Sequence, residues 1–269
     1  KGKEGEKLME LLKELTQAWG IAGREKAVRA IIEREIKDYA DEYFTDAVGN
    51  LIALKRGAGH PDKKKIMLAA HMDEIGMQVK KIEADGRIKV CNVGWIWTSS
   101  LYNDKVVFRN GTIGVVGCEG PIEEAKNNSG KLYIDIGCTT KEDTEKYVKV
   151  GDYCGFIGNY YELKNGRISA KSFDNRVGCY ILIEALRRNK GDGPNDVYYV
   201  FTVQEEVGCR GAIVSAERIK PDMGISVDVT PDHFYPTDLE GANAVGEGVG
   251  ISVGNPSAML DEYLVDEMI

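Results

Sequence analysis

The residues in this sequence whose types and positions suggest chemistry are His71, Asp73, Asp174, Glu205, Glu206 and Asp228. One imidazole with several carboxylates is the mixed nitrogen and oxygen set that holds divalent ions of the zinc type, and one carboxylate can bridge two ions about 3.5–4 Å apart. Asp73, two residues past His71, is placed to accept the second ring N–H of that imidazole and lock its tautomer. Taken singly, each has a plainer use. His71 can be a structural histidine, Asp174 can cap a helix, Asp228 can open a turn before Pro231, and Glu205-Glu206 can be a solvated turn. What sets them apart is shared placement, because each stands at the end of an element that reads as buried.

The run Val197-Tyr198-Tyr199-Val200-Phe201-Thr202-Val203 is β-branched and aromatic without polar alternation, as in a strand buried on both faces of a parallel sheet. It ends at Gln204-Glu205-Glu206. A second wholly apolar strand, Ile66-Met67-Leu68-Ala69-Ala70, ends at His71, and a strand from Gly224 to Val229 carries Asp228 near its end. Asp174 opens a helix that runs to about Arg188. If the strands are parallel, all these side chains meet at one edge of one sheet, where open α/β folds place their chemistry. Helical stripes cover Glu6–Trp19, Arg24–Tyr39 and Gly211–Arg218, a hairpin is expected at Tyr43–Asp46 and Leu51–Lys55, and Val249–Val253 reads as a last strand.

Between Ile75 and Arg167 the pattern changes to short alternating segments punctuated by Asp85-Gly86, Asn110-Gly111, Gly151-Asp152 and Asn165-Gly166. That spacing predicts a small all-β module. The expected fold is therefore α/β, a mixed sheet flanked by helices, with an inserted small all-β domain. Residues 1–74 and 168–269 form the α/β part, and residues 75–167 the insertion. The glycines of Gly246-Glu247-Gly248-Val249-Gly250 lack a following Lys-Ser/Thr and read as a turn, not a phosphate loop.

Composition narrows the partners. With 35 basic and 43 acidic residues the formal charge is −8, which argues against nucleic acid or an anionic membrane as a partner. No apolar run approaches the roughly 20 residues of a membrane span, and Lys1-Gly2-Lys3-Glu4-Gly5-Glu6 is not a signal peptide. The six cysteines form no Cys-x-x-Cys pair, so free thiols and a cytoplasmic location are expected.

Four segments in order, Ala69-Ala70-His71-Met72-Asp73-Glu74-Ile75-Gly76, Ser172-Phe173-Asp174-Asn175-Arg176-Val177-Gly178, Val203-Gln204-Glu205-Glu206-Val207-Gly208-Cys209-Arg210-Gly211-Ala212 and Val227-Asp228-Val229-Thr230, resemble the co-catalytic metalloaminopeptidases of peptidase family forty-two. These are glutamyl and deblocking aminopeptidases, some labelled endoglucanases. The resemblance runs from about Glu6 to the end. It implies two divalent ions, zinc or cobalt, with Asp174 bridging them, His71 and Asp228 on one, Glu206 on the other and Glu205 as general base. Aminopeptidase action on peptides and self-association from dimers to dodecamers are implied as well. The alternatives are a related co-catalytic deacylase and a non-catalytic subunit or scaffold of the same fold.

The family pattern also carries a Gly-Gly-Thr-Asp segment and a later histidine that completes the second ion. Neither occurs in these 269 residues, where the other histidines are His60 and His233. The sequence thus reads as C-terminally truncated, with at most one tightly held ion and negligible activity expected of residues 1–269.

Overall fold

Helices α1 (Lys3–Gln17) and α2 (Lys26–Ile36) open the chain, and the computed structural model describes residues 3–125, 129–233, 241, 243–255 and 258–269. Apolar residues spaced three and four apart give each helix one apolar face. Leu11 and Leu15 from α1 and Val28, Ile32 and Ile36 from α2 bury that face in one core. Strands β1 (Glu42–Thr45) and β2 (Leu51–Lys55) then form an antiparallel hairpin. Its bend is held by Asp46, whose Oδ1 accepts from the amides of Val48, Gly49 and Asn50 at 3.1, 2.9 and 2.9 Å.

Strand β3 (Lys65–His71) leads into a closed barrel. Its strands are β4 (Gly76–Ile82), β5 (Ile88–Val93), β6 (Lys105–Phe108), β7 (Ile113–Cys118), β8 (Leu132–Asp135) and β9 (Tyr153–Phe156). They close in the order β4-β5-β8-β7-β6-β9, all antiparallel, so no edge is left unpaired. Met77, Val79, Ile88, Phe108, Leu132 and Ile134 are among the side chains that fill it. The short helix α3 (Lys141–Thr144) lies between β8 and β9, and the hairpin of β10 (Tyr161–Glu162) and β11 (Ile168–Ser169) follows.

The chain returns to the main sheet through α4 (Phe173–Arg188), β12 (Asp196–Thr202), α5 (Arg210–Ile219) and β13 (Met223–Ser226). The sheet order is β1-β2-β12-β3-β13. Strand β12 runs parallel to β3 but antiparallel to β2, and β13 runs parallel to β3. The sheet is therefore mixed, and the unbroken apolarity of β12 reflects burial on both faces, whatever the direction of its neighbours. Tyr199 and Phe201 face the core shared with α1, α2 and α4, while Val200 faces a smaller cluster with Ile52, Met67 and Ile219 of α5. Helices thus cover both faces.

The chain divides into two compact units, Lys1–Asp228 and Val229–Ile269. The second holds β14 (Gly254–Asn255) paired with β15 (Ala258–Met259), and α6 (Glu262–Met268), which Asp261 caps by accepting from the Leu264 amide at 3.0 Å. The strand expected at Val249–Val253 does not form. Both valines are exposed, and the only ladder among the described residues of this unit is the two-residue β14–β15 pair, so alternation there has no sheet to join.

Packing around β12 gives a direct test. Phe201 is fully buried, so Phe201→Ala should lower unfolding free energy by about 3–5 kcal/mol, read as a reduced urea midpoint. Ile213→Ala, on the exposed face of α5, should change it by less than about 0.5 kcal/mol.

Candidate metal centre

Parallel pairing brings the chemistry together. In the β3–β12 register Thr202 stands opposite His71, and the Met72 amide donates to the Thr202 carbonyl at 2.8 Å. On the other side of β3, the Val227 amide donates to the Ala69 carbonyl at 2.8 Å, so Asp228 leaves the sheet at the same edge. There His71 Nε2 lies 3.9 Å from a Glu205 oxygen and 3.9 Å from a Asp228 oxygen. His71, Asp174 and Asp228 form one group with ligand atoms close enough for an ion, and His71, Glu205 and Glu206 form another.

Asp73 is buried completely and joins two strand ends. Its Oδ1 accepts from the Glu205 amide at 3.0 Å and its Oδ2 from the Glu206 amide at 3.1 Å. The ring N–H at Nδ1 of His71 is 3.1 Å from the Asp73 carbonyl oxygen and 3.5 Å from Oδ1. The backbone of Asp73 is therefore the closer partner for the imidazole, and its carboxylate grips the two glutamates from below. Beyond them the bend needs unusual backbone: Gln204 and Cys209 take left-handed angles, φ 57° and 53°. Gly211 permits the return, since a Cβ there would meet Asn50 Oδ1 at 2.3 Å.

Asp174 does not cap α4. Asp174 (φ −74°, ψ 107°) and Asn175 (φ −121°, ψ 41°) are not helical, and the peptide between them is cis. The Asp174 carboxylate instead lies 2.9 Å from His71 Nε2. The capping falls to Asn175, whose Oδ1 accepts from the Gly178 amide at 3.1 Å while its Nδ2 donates to the Val227 carbonyl at 2.8 Å. Asn175 went unnoticed in the sequence because its partner Val227 is distant along the chain; an Asn three residues before a helical glycine was the available signal.

Two further groups were missed. Cys209 donates its thiol proton to Glu205 Oε1 at 3.2 Å, a contact visible in sequence only as a four-residue spacing. Glu74 lies buried beside Asp73 and meets Lys171, Ser172 and Arg176, none of which has a sequence pattern linking it to Glu74. His233 belongs to the second unit, where its amide donates to the Asn243 carbonyl at 2.8 Å.

The electrostatics suit a cation. Burial alone would strip His71 of its extra proton, yet hydrogen bonds to Asp174 and Asp73 and the charges of Asp73 and Asp228 outweigh it, lifting the pKa to about 10. Burial, then the charge of Asp174, pushes Glu206 up to about 7. One imidazole among several carboxylates is a donor set that fits a zinc-type ion.

Fold and site together define a metal-dependent aminopeptidase with a zinc-exopeptidase-like fold. The chain belongs to the M42 glutamyl aminopeptidase family, whose pattern it matches over residues 49–269. It is 35% identical over 233 residues to the lysyl aminopeptidase of Pyrococcus furiosus, covering 82% of this chain and 66% of that relative. Among solved structures, the TET aminopeptidase from a marine sediment Thaumarchaeota archaeon superposes with a TM-score of 0.89 at 33% identity, covering 97% of this chain and 77% of that one. The Pyrococcus horikoshii TET1 peptidase, which can assemble into a tetrahedron or a large octahedral shell, gives 0.82 at 34%, covering 97% and 79%.

An ion held by His71 and Glu206 would displace the His71 Nε2 proton, and also the Glu206 proton below about pH 7. Zinc affinity should therefore rise from about pH 6 to about pH 8, with more protons released per ion at the lower pH. Calorimetric titration in buffers of different ionisation enthalpy checks this, and an affinity flat across that range would contradict it.

Proposed function

We propose that the protein is an aminopeptidase that removes N-terminal residues from peptides at a centre for two divalent ions, zinc or cobalt, to which residues 1–269 bring three side-chain ligands for one ion and only two carboxylates for the other, so that the second ion is held weakly by these residues alone. The observation that carries this reading is a single buried imidazole, His71, ringed by Asp174, Glu205, Glu206 and Asp228 at one sheet edge. In this reading His71 and Asp228 serve one ion, Glu206 the other, and Asp174 both. Ions there supply Lewis acidity toward water and the peptide carbonyl.

The remaining work belongs to the chain. Glu205 takes the proton from the attacking water and returns it to the leaving amine. Its backbone is held by Asp73, and the Cys209 thiol occupies its Oε1, which orients the carboxylate. The second reading, a non-catalytic scaffold of the same fold, draws on the histidine that the family pattern carries and these 269 residues lack, but the family match and the aminopeptidase relatives do not favour it.

Self-association is part of the proposal. The barrel exposes Trp95 at 69% and Trp97 at 62%, large apolar surface of the kind that subunit contacts cover, and the shells of the TET1 relative support the same direction. The six free thiols suit a cytoplasmic, reducing setting.

Glu205→Gln should reduce peptide turnover by about 10²–10⁴-fold while bound zinc, measured by elemental analysis after dialysis, stays unchanged. Loss of zinc in that variant would make Glu205 a ligand instead. A free-amine peptide should be cleaved and its N-acetylated counterpart should not; the reverse preference would favour a deacylase.

A further inference from the structure

Glu74 lies one residue past Asp73 and three past His71, with its side chain 5% exposed. Its Oε2 takes the Lys171 ammonium at 2.5 Å and the Ser172 hydroxyl proton at 2.6 Å. Its Oε1 takes the Gly20 amide at 2.8 Å and faces Arg176 Nη2 at 3.4 Å. Arg176 is fully buried and donates to the carbonyls of Leu15 at 2.6 Å and Ala18 at 2.9 Å, at the end of α1. Three charged groups thus sit together under the sheet edge.

Stability alone explains this poorly, because buried charges cost desolvation that well-packed apolar side chains avoid. Their location is more telling. Ser172 precedes Asp174 by two residues and Arg176 follows it by two, so the cluster brackets the segment that presents Asp174. Ser172 is itself held at φ 57°, a left-handed conformation that a non-glycine residue keeps only under restraint. Among the described residues, the hydrogen bonds joining 71–74 to 171–179 are the His71–Asp174 contact, a thiol bond from Cys179 to the His71 carbonyl, and those made by Glu74. The Glu74 set contains the charged ones outside the centre.

We propose that Glu74 is a positioning residue for the metal centre, its buried carboxylate holding Lys171 and Ser172 so that Asp174 meets the ion beside His71. This rests on the reading of that cluster as a metal centre. Glu74 touches neither ion nor substrate. Its loss should let the 171–175 segment relax and swing Asp174 away, loosening the ion without removing a ligand.

Cobalt(II) titration followed by visible absorption tests this without relying on turnover. Wild-type protein should bind Co²⁺ with a defined ligand-field spectrum. Glu74→Gln should weaken Co²⁺ binding by about 10–100-fold and alter that spectrum, and Ser172→Ala, which deletes the bond to Glu74 and the one accepted from Lys171 but keeps the Glu74–Lys171 pair, should move both in the same direction by less. Adding Lys171→Met to Glu74→Gln removes the unpaired ammonium. It should raise the melting temperature toward wild type yet leave the cobalt spectrum altered, which a purely structural role would not do. If Glu74→Gln does not fold, Ser172→Ala decides. A folded variant with wild-type affinity and spectrum overturns the positioning role, whereas wild-type protein that takes up no cobalt overturns the metal centre and this inference together.

Discussion

The site depends on a carboxylate that faces away from the reaction. Asp73 is buried completely, and an ionised group there survives only where hydrogen bonds replace the water it has lost. The replacements are the amides of Glu205 and Glu206, one to each oxygen. The requirement works in both directions: the amides at the end of β12 need acceptors, and the anion at the end of β3 needs donors. Satisfying both sets the distance between the His71 strand and the acidic turn through backbone hydrogen bonds.

Above that clamp, negative charge accumulates. Asp174, Glu205, Glu206 and Asp228 surround one imidazole, and repulsion among the acids is relieved by protons on His71 and Glu206. The Nδ1 side of His71 is engaged by the Asp73 carbonyl, which leaves Nε2 as the nitrogen turned toward Asp174 and the other acids.

Much of this could be read from residue order. The apolar runs ending at His71 and at Gln204-Glu205-Glu206 identified the sheet edge because a strand buried on both faces must end where polarity resumes, and pairing β3 with β12 and β13 in parallel puts those ends together. The change of pattern after Ile75 marked the barrel. What stayed hidden is long-range. For Asp174 the sequence left a helix cap open beside the ligand role, because local spacing cannot show that Asn175 does the capping through Gly178 and Val227. The strand expected at Val249–Val253 failed for the complementary reason: alternation specifies a face, and only a neighbouring strand makes use of it.

The barrel has a consequence for how the centre comes into being. Glu74 and Lys171 are 97 positions apart, and the barrel occupies most of that interval. Left flexible, so long a connection would charge the meeting of His71 and Asp174 with a large loop-closure entropy. Its first and last strands, β4 and β9, are hydrogen-bonded neighbours, with Met77 opposite Cys154. Once folded, the barrel therefore acts as a short clasp, delivering its two exits side by side. An insertion of this length can therefore stand between His71 and Asp174 in sequence without holding their two segments apart in space.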